Sequence, residues 1–220
     1  MIQHNIKVEK TARYFVLGQP SEKTKRIWFV YHGYAQLANY FLKKFESLDN
    51  EQDMIIAPEG LHRFYWSGFS GKVVASWMTK EDRLNDIDDY VNFLNRVYDE
   101  VISSFKNFEN KPEIISLGFS QGTATVCRWI TLSNKEIDRL IIWAGAFPED
   151  INYFEKKELF ASLKPIWISG NKDGFLPEEK VRSILNLMTE NEIPFKRIVY
   201  EGSHTIDEKA LFELKKLLEK

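Results

Sequence analysis

The chain has 220 residues, 44% of them hydrophobic and 28% charged, a balance that excludes a disordered segment and suits one globular domain with its own core. Thirty Lys and Arg against 32 Asp and Glu leave a net charge of −2 with no basic stripe, so a nucleic-acid partner has no support. The single cysteine, Cys127, excludes an internal disulfide and a multi-cysteine zinc site, and only four histidines (His4, His32, His62 and His204) are available for imidazole chemistry.

Met1–Lys10 is polar and mixed in charge, without the apolar core of a signal peptide, and no apolar run approaches the length of a membrane span. A cytoplasmic protein with no membrane span is the expectation. Asn5–Glu9 and Ala12–Leu17 alternate in polarity and predict an antiparallel edge hairpin. Arg26–Tyr31 reads as a buried strand, followed by helical spacing over Gln36–Leu48. Met54–Ala57 is a second strand, stopped by Pro58 and Gly60. Further strands are predicted at Ile114–Leu117, Leu140–Trp143, Pro165–Ser169 and Phe195–Tyr200, alternating with helices at Glu81–Phe105, Gln121–Leu132, Glu178–Glu190 and Thr205–Glu219. In the first of these helices Leu84, Ile87, Val91, Leu94 and Tyr98 share one face. Continuous apolar strands between amphipathic helices predict an α/β protein: a mostly parallel sheet covered on both faces, a three-layer α/β/α sandwich spanning 1–220 as one domain.

In such sheets function gathers at the carboxyl ends of the strands. Strand Ile114–Leu117 runs into Gly118-Phe119-Ser120-Gln121-Gly122, a G-x-S-x-G between strand and helix. Glycines two before and two after the serine let the chain make a sharp turn that exposes its hydroxyl, and the helix N-terminus presents free amides beside it. The plain alternative is a serine that caps the helix. Ser70, in Ser67-Gly68-Phe69-Ser70-Gly71, has neither the spacing nor a leading strand.

A serine hydroxyl needs a base, and the base needs an orienting acid. With the order Ser, acid, His along the chain, His204 is the base candidate, because no other histidine follows Ser120. Asp173, in Gly170-Asn171-Lys172-Asp173-Gly174, is the acid candidate. Its alternative role is an Asx turn within its own loop. Glu149 and Asp150 are runners-up. Oxyanion donors are expected from the backbone N–H groups of Gln121 and of Tyr34 in His32-Gly33-Tyr34-Ala35-Gln36, with the His32 ring bonding inside that loop.

With these residues in place the chain resembles the α/β-hydrolase superfamily, and within it the phospholipase/carboxylesterase branch that includes acyl-protein thioesterases. His32-Gly33, Gly118-Phe119-Ser120-Gln121-Gly122, Lys172-Asp173 and Gly202-Ser203-His204 carry the likeness, with Ser76-Trp77 before a long acidic helix as a weaker block. Thr123 stands where the branch usually has a second glycine. The resemblance implies an α/β-hydrolase fold and hydrolysis of a small-molecule carboxylic ester or thioester through an acyl-enzyme, without metal or organic cofactor.

The aromatic stretch His62–Phe69 follows strand Met54–Ala57 and is expected to line an acyl site, through Phe64, Trp66 and Phe69, to act as a flap, or to cover the core. Trp77, Phe147, Phe175 and Leu176 are the other expected pocket residues. Asp150–Leu163 is the one stretch long enough for a cap, so the cap is expected to be minimal and the site open. Two rival readings are a non-catalytic ligand receptor on the same fold, and a peptidase or sugar acetyl esterase with the same triad. The sequence leaves a homodimer open.

Overall fold

The computed structural model describes residues 1–219. Its strands are β1 (Tyr14–Leu17), β2 (Arg26–Tyr31), β3 (Asp53–Pro58), β4 (His62–Ser67), β5 (Ser70–Ser76), β6 (Glu113–Phe119), β7 (Arg139–Trp143), β8 (Ile166–Gly170) and β9 (Lys196–Tyr200). Its α-helices are α1 (Ala38–Leu42), α2 (Arg83–Ser103), α3 (Gln121–Leu132), α4 (Lys157–Ser162), α5 (Glu178–Glu190) and α6 (Glu208–Leu218). Seven strands form one sheet in the order β1-β3-β2-β6-β7-β8-β9. All pairs are parallel except β1 with β3 at the edge.

Strand periodicity sorts the apolar residues onto two faces. Ile27, Phe29 and Tyr31 of β2 point to the side covered by α2, α3 and α5, where Tyr90, Leu94, Trp129 and Ile184 join the same cluster. Trp28 and Val30 point to the side covered by α1 and α6, with Phe41, Leu211 and Leu214. This is the sandwich that the alternating pattern predicts. Among the described residues no helix is long and apolar enough to cross a membrane.

Three local expectations change. Tyr14–Leu17 is the antiparallel edge strand, but it pairs with β3, and Asn5–Glu9 stays unpaired. That run has only Ile6 and Val8 on its apolar side, both exposed, too little burial to fix a two-stranded hairpin. The helix predicted over Gln36–Leu48 is only five residues long, then tightens into a 3₁₀ turn at Lys43–Leu48. Gln36 is bridged to Ala75 in extended form, and buried Phe45 and Leu48 sit at the three-residue spacing a 3₁₀ helix places on one side. The aromatic stretch after β3 is a separate antiparallel hairpin, β4 with β5. Its turn is Gly68-Phe69, with Gly68 at positive φ, and Ser70 opens β5 ahead of Gly71, also at positive φ.

Candidate active site

Ser120 occupies the single residue between β6 and α3, at φ 52° and ψ −116°, a region that non-glycine residues enter only when their surroundings force them. The forcing contacts are visible. The Ser120 N–H donates to Trp143 O at 2.9 Å, tying the turn to β7. A Cβ on Gly118 would stand 2.5 Å from Gly122 O, and one on Gly122 would stand 2.1 Å from Tyr31 O. The Ser120 side chain makes no capping hydrogen bond to α3, so the capping alternative is not what the hydroxyl does. Thr123 is accommodated because Gly145 opposes it, where a Cβ would lie 2.2 Å from Thr123 Oγ1. The Thr123 hydroxyl donates to Gly118 O at 3.1 Å.

Asp173 and His204 come from loops after β8 and β9 that interlock. The N–H of Asn171 donates to Tyr200 O and that of Lys172 to Gly202 O, both at 2.9 Å. The Gly202 N–H donates back to Asn171 Oδ1 at 3.1 Å. A Cβ on Gly170 would be 2.3 Å from Gly202 O, so glycine is what lets the loops approach. The Asp173 carboxylate then serves two donors: the Phe175 N–H to Oδ1 at 2.9 Å and His204 Nδ1 to Oδ2 at 2.8 Å. The Asx turn and the histidine contact therefore coexist. A neutral ring that gives its Nδ1 proton to the carboxylate keeps a lone pair on Nε2. Phe119 and Phe175 flank the His204 ring at centroid distances of 4.9 and 4.7 Å, which puts it against the residue that precedes Ser120.

The loop after β2 completes the rim. A Cβ on Gly33 would be 3.1 Å from Ser120 Cβ. Among the described residues the N–H groups of Tyr34 and Gln121 have no intramolecular acceptor, and the latter is one of the free amides of a helix N-terminus. His32 is fully buried and touches Gly33 O through Nδ1 at 2.8 Å. Burial pushes its pKa down to about 4, partly opposed by Gly33 O and Glu59. His62 faces Asp86 at 3.1 Å and His4 is exposed, so neither joins the rim. Asp150 is held by Arg128 at 2.8 Å and Arg83 at 2.6 Å, and Glu149 is exposed. Cys127 is buried in the core, and burial pushes its thiol pKa up.

The expected pocket residues divide. Tyr34 rests near Phe64 at 5.8 Å and Trp66 at 6.2 Å, and Trp66 and Phe175 remain largely exposed on the rim. Phe69 stands fully exposed beside the hairpin turn. Trp77, Phe147 and Leu176 do not line an open surface. Trp77 has no exposed area and donates its indole N–H to His32 O at 2.8 Å. Phe147 packs edge-on against Tyr153 and Phe160, and Leu176 turns inward to the cluster that holds Trp167 and Met188. In each case the apolar side chain gains more by joining the core than by facing the rim. The Asp150–Leu163 stretch likewise commits Tyr153 and Phe160 to the core and acts as the connection from β7 to β8. What sequence reasoning missed is the Gln121 side chain, which binds Ser76, Trp77 and Met78. Its place inside the elbow motif was the available signal.

The family model described as Serine hydrolase (FSH1) matches residues 21–215. No curated protein matches the sequence significantly. Among solved structures, acyl-protein thioesterase 2 from Zea mays superposes with a TM-score of 0.71 at 16% identity, covering 95% of this chain and 98% of that one. A phospholipase/carboxylesterase from Dyadobacter fermentans gives 0.66 at 18% identity over 98% and 100%. A Bacillus cereus carboxylesterase gives 0.66 at 12% identity over 94% and 93%. At these identities the likeness is one of fold: a mostly parallel sheet between two helix layers, shared with these esterase and thioesterase structures.

Proposed function

The chain belongs to the FSH1 serine hydrolase family, and from that membership we propose that it cleaves carboxylic esters or thioesters through Ser120, His204 and Asp173. The observation that carries this reading is the 2.8 Å contact between His204 Nδ1 and the buried Asp173 carboxylate, on the rim where Ser120 is forced into its strained turn. That contact orients the ring and stabilises the imidazolium that forms in the reaction. His204 Nε2 takes the Ser120 proton as Oγ attacks the acyl carbonyl. The tetrahedral oxyanion accepts hydrogen bonds from the Tyr34 and Gln121 N–H groups. His204 passes its proton to the departing alcohol or thiol, leaving an acyl-serine. Water then loses a proton to His204 and attacks the ester, which releases the acid and restores Ser120.

Tyr34 with Phe64 and Trp66, and Phe175 beside His204, supply an apolar shelf for the acyl chain. A shelf open to solvent suits a range of acyl lengths.

The test is turnover of p-nitrophenyl acetate and butyrate, with labelling by a fluorophosphonate probe. Ser120→Ala and His204→Ala, each folded by circular dichroism, are expected to lose at least ~10³-fold in kcat, the scale on which such units act together. Retained turnover in either variant overturns the assignment. A wild-type chain that neither turns over these esters nor labels is a ligand receptor instead.

A further inference from the structure

The two N–H groups assigned to the oxyanion lie about ninety residues apart, Tyr34 in the loop after β2 and Gln121 at the first position of α3. One buried residue joins them, through its backbone on one side and its side chain on the other. The Trp77 backbone N–H donates to Gln121 Oε1 at 3.2 Å, and its indole N–H donates to His32 O at 2.8 Å. Its ring stacks on the His32 imidazole at 4.9 Å with 27° between planes.

Each end of this bridge leads to one donor. At the Gln121 end the amide is fully used: Oε1 accepts from Trp77, while Nε2 donates to Ser76 Oγ and Met78 O, both at 3.1 Å. The Ser76 hydroxyl sends its own proton to Met78 O at 2.9 Å, which leaves its lone pair for Gln121. The side chain thereby fixes the first residue of α3, whose N–H is one of the two donors assigned to the oxyanion.

At the His32 end, Nε2 accepts the Gly60 N–H at 2.9 Å, so the neutral ring carries its proton on Nδ1 and donates it to Gly33 O at 2.8 Å. Gly33 C=O and Tyr34 N–H belong to one planar peptide. Holding the carbonyl therefore holds the direction of the N–H. The next residue is pinned too, since the Ala35 N–H donates to Ala75 O at 2.9 Å, two residues before Trp77. Burial that keeps His32 uncharged preserves this arrangement in neutral solution.

We propose that Trp77 is a positioning residue that sets the spacing of the two oxyanion donors, through hydrogen bonds to Gln121 on one side and His32 on the other. The inference rests on the reading of Ser120 as a nucleophile given above. Donors of this kind act only when preset at the place where charge develops, and displacement by about 1 Å costs on the order of a hundred-fold.

Trp77→Phe keeps an aromatic ring beside His32 and removes the indole N–H together with part of the buried ring. Its kcat on p-nitrophenyl butyrate is expected to fall ~10- to 100-fold with KM within about twofold, the mark of an interaction made in the transition state. The Ki of an alkyl trifluoromethyl ketone, whose serine adduct carries the same oxyanion, is expected to rise by the same factor. If Trp77→Phe does not fold, Gln121→Met removes the other arm while keeping the backbone N–H, with the same expectations. A folded variant with wild-type kcat and Ki overturns the role. So does one whose KM rises while kcat and Ki hold, because that is a general loosening of the rim. A wild-type chain without Ser120-dependent turnover removes the nucleophile reading and this inference together, whereas the other outcomes leave that reading standing.

Discussion

His204 Nδ1 and Asp173 Oδ2 lie 2.8 Å apart, with the carboxylate side chain fully buried and the imidazole one-fifth exposed. A buried acceptor facing a partly open ring holds one tautomer without closing the other ring nitrogen to substrate. Asp173→Asn keeps the size and the Phe175 N–H bond to Oδ1, but offers an NH₂ group or a weaker oxygen to Nδ1. The wrong tautomer then competes. The expected loss in kcat is ~10³- to 10⁴-fold with little change in thermal stability, as for acid members of such triads generally. Steady-state kinetics beside a melting curve checks it, and a loss below tenfold rejects Asp173 as the orienting acid.

The Phe175 ring lies 4.7 Å from the His204 ring, and the Trp66 ring lies 6.2 Å from that of Tyr34. Both are more than half exposed, so their rings contribute little to the core. Removing an aromatic face that covers ~50 Å² of an acyl chain costs about 1 kcal/mol of binding, or roughly fivefold. Phe175→Ala and Trp66→Ala are expected to lower kcat/KM about fivefold for p-nitrophenyl octanoate and to leave p-nitrophenyl acetate within twofold. Equal losses on both esters would mean that the rings do not hold the chain.

How far these features were legible depends on the range of the interactions behind them. β2, β6, β7 and β8 are buried on both faces, so their runs are almost continuously apolar and declare themselves. Ser120, Asp173 and His204 were selected by local turn chemistry and chain order, and the loops after β8 and β9 bring the latter two into contact. Trp77 was not legible. Its aromatic character fits a pocket as well as a core, and only the fold places His32 beneath it and Gln121 beside it. The β4–β5 hairpin was missed for a related reason. Four of the six β4 residues are exposed, and the strand is held by pairing with β5 and not by a buried face, so hydrophobic alternation is weak.

His32 makes stability depend on pH. In the unfolded chain its pKa is 6.5, and burial pushes the folded value down to about 4. Between these values the unfolded chain binds a proton that the folded chain does not. Lowering the pH therefore favours unfolding, and the loss from pH 7 to pH 4 amounts to about 3 kcal/mol. Asp53 acts in a different window: burial alone would raise its pKa, but hydrogen bonds from Arg26, Trp28 and Asn50 outweigh that and hold it below 3.8, so its contribution disappears only at more acid pH. Urea midpoints at pH 7, 5.5 and 4.5 are expected to fall steadily in the wild type. His32→Asn is expected to start lower and fall less. A parallel slope in the two proteins would locate the pH dependence elsewhere.

Two glycines outside the proposed triad separate close approach from backbone conformation as reasons for having no side chain. Gly122 lies in α3 with ordinary helical backbone, but a Cβ there would meet Tyr31 O at 2.1 Å and His32 O at 2.8 Å. Both atoms are main chain, at the end of β2 and the start of the loop that leads to the proposed Tyr34 donor, so neither can give without moving β2. Gly68 is the opposite case, with φ +75° and nothing within 4 Å. There alanine meets only the left-handed penalty, about 1 kcal/mol, or roughly 2–4 °C in melting temperature for a chain of this size. Gly122→Ala is expected to cost about 3 kcal/mol or more, at the upper end of overpacking changes, and to lower activity even in the fraction that folds, because Tyr31 and His32 must shift. Melting curves of the two variants, run beside esterase assays, test the ordering. A Gly68→Ala protein less stable than Gly122→Ala would show that helix α3 can slide away from β2, and that the elbow is not held by the contact with Tyr31.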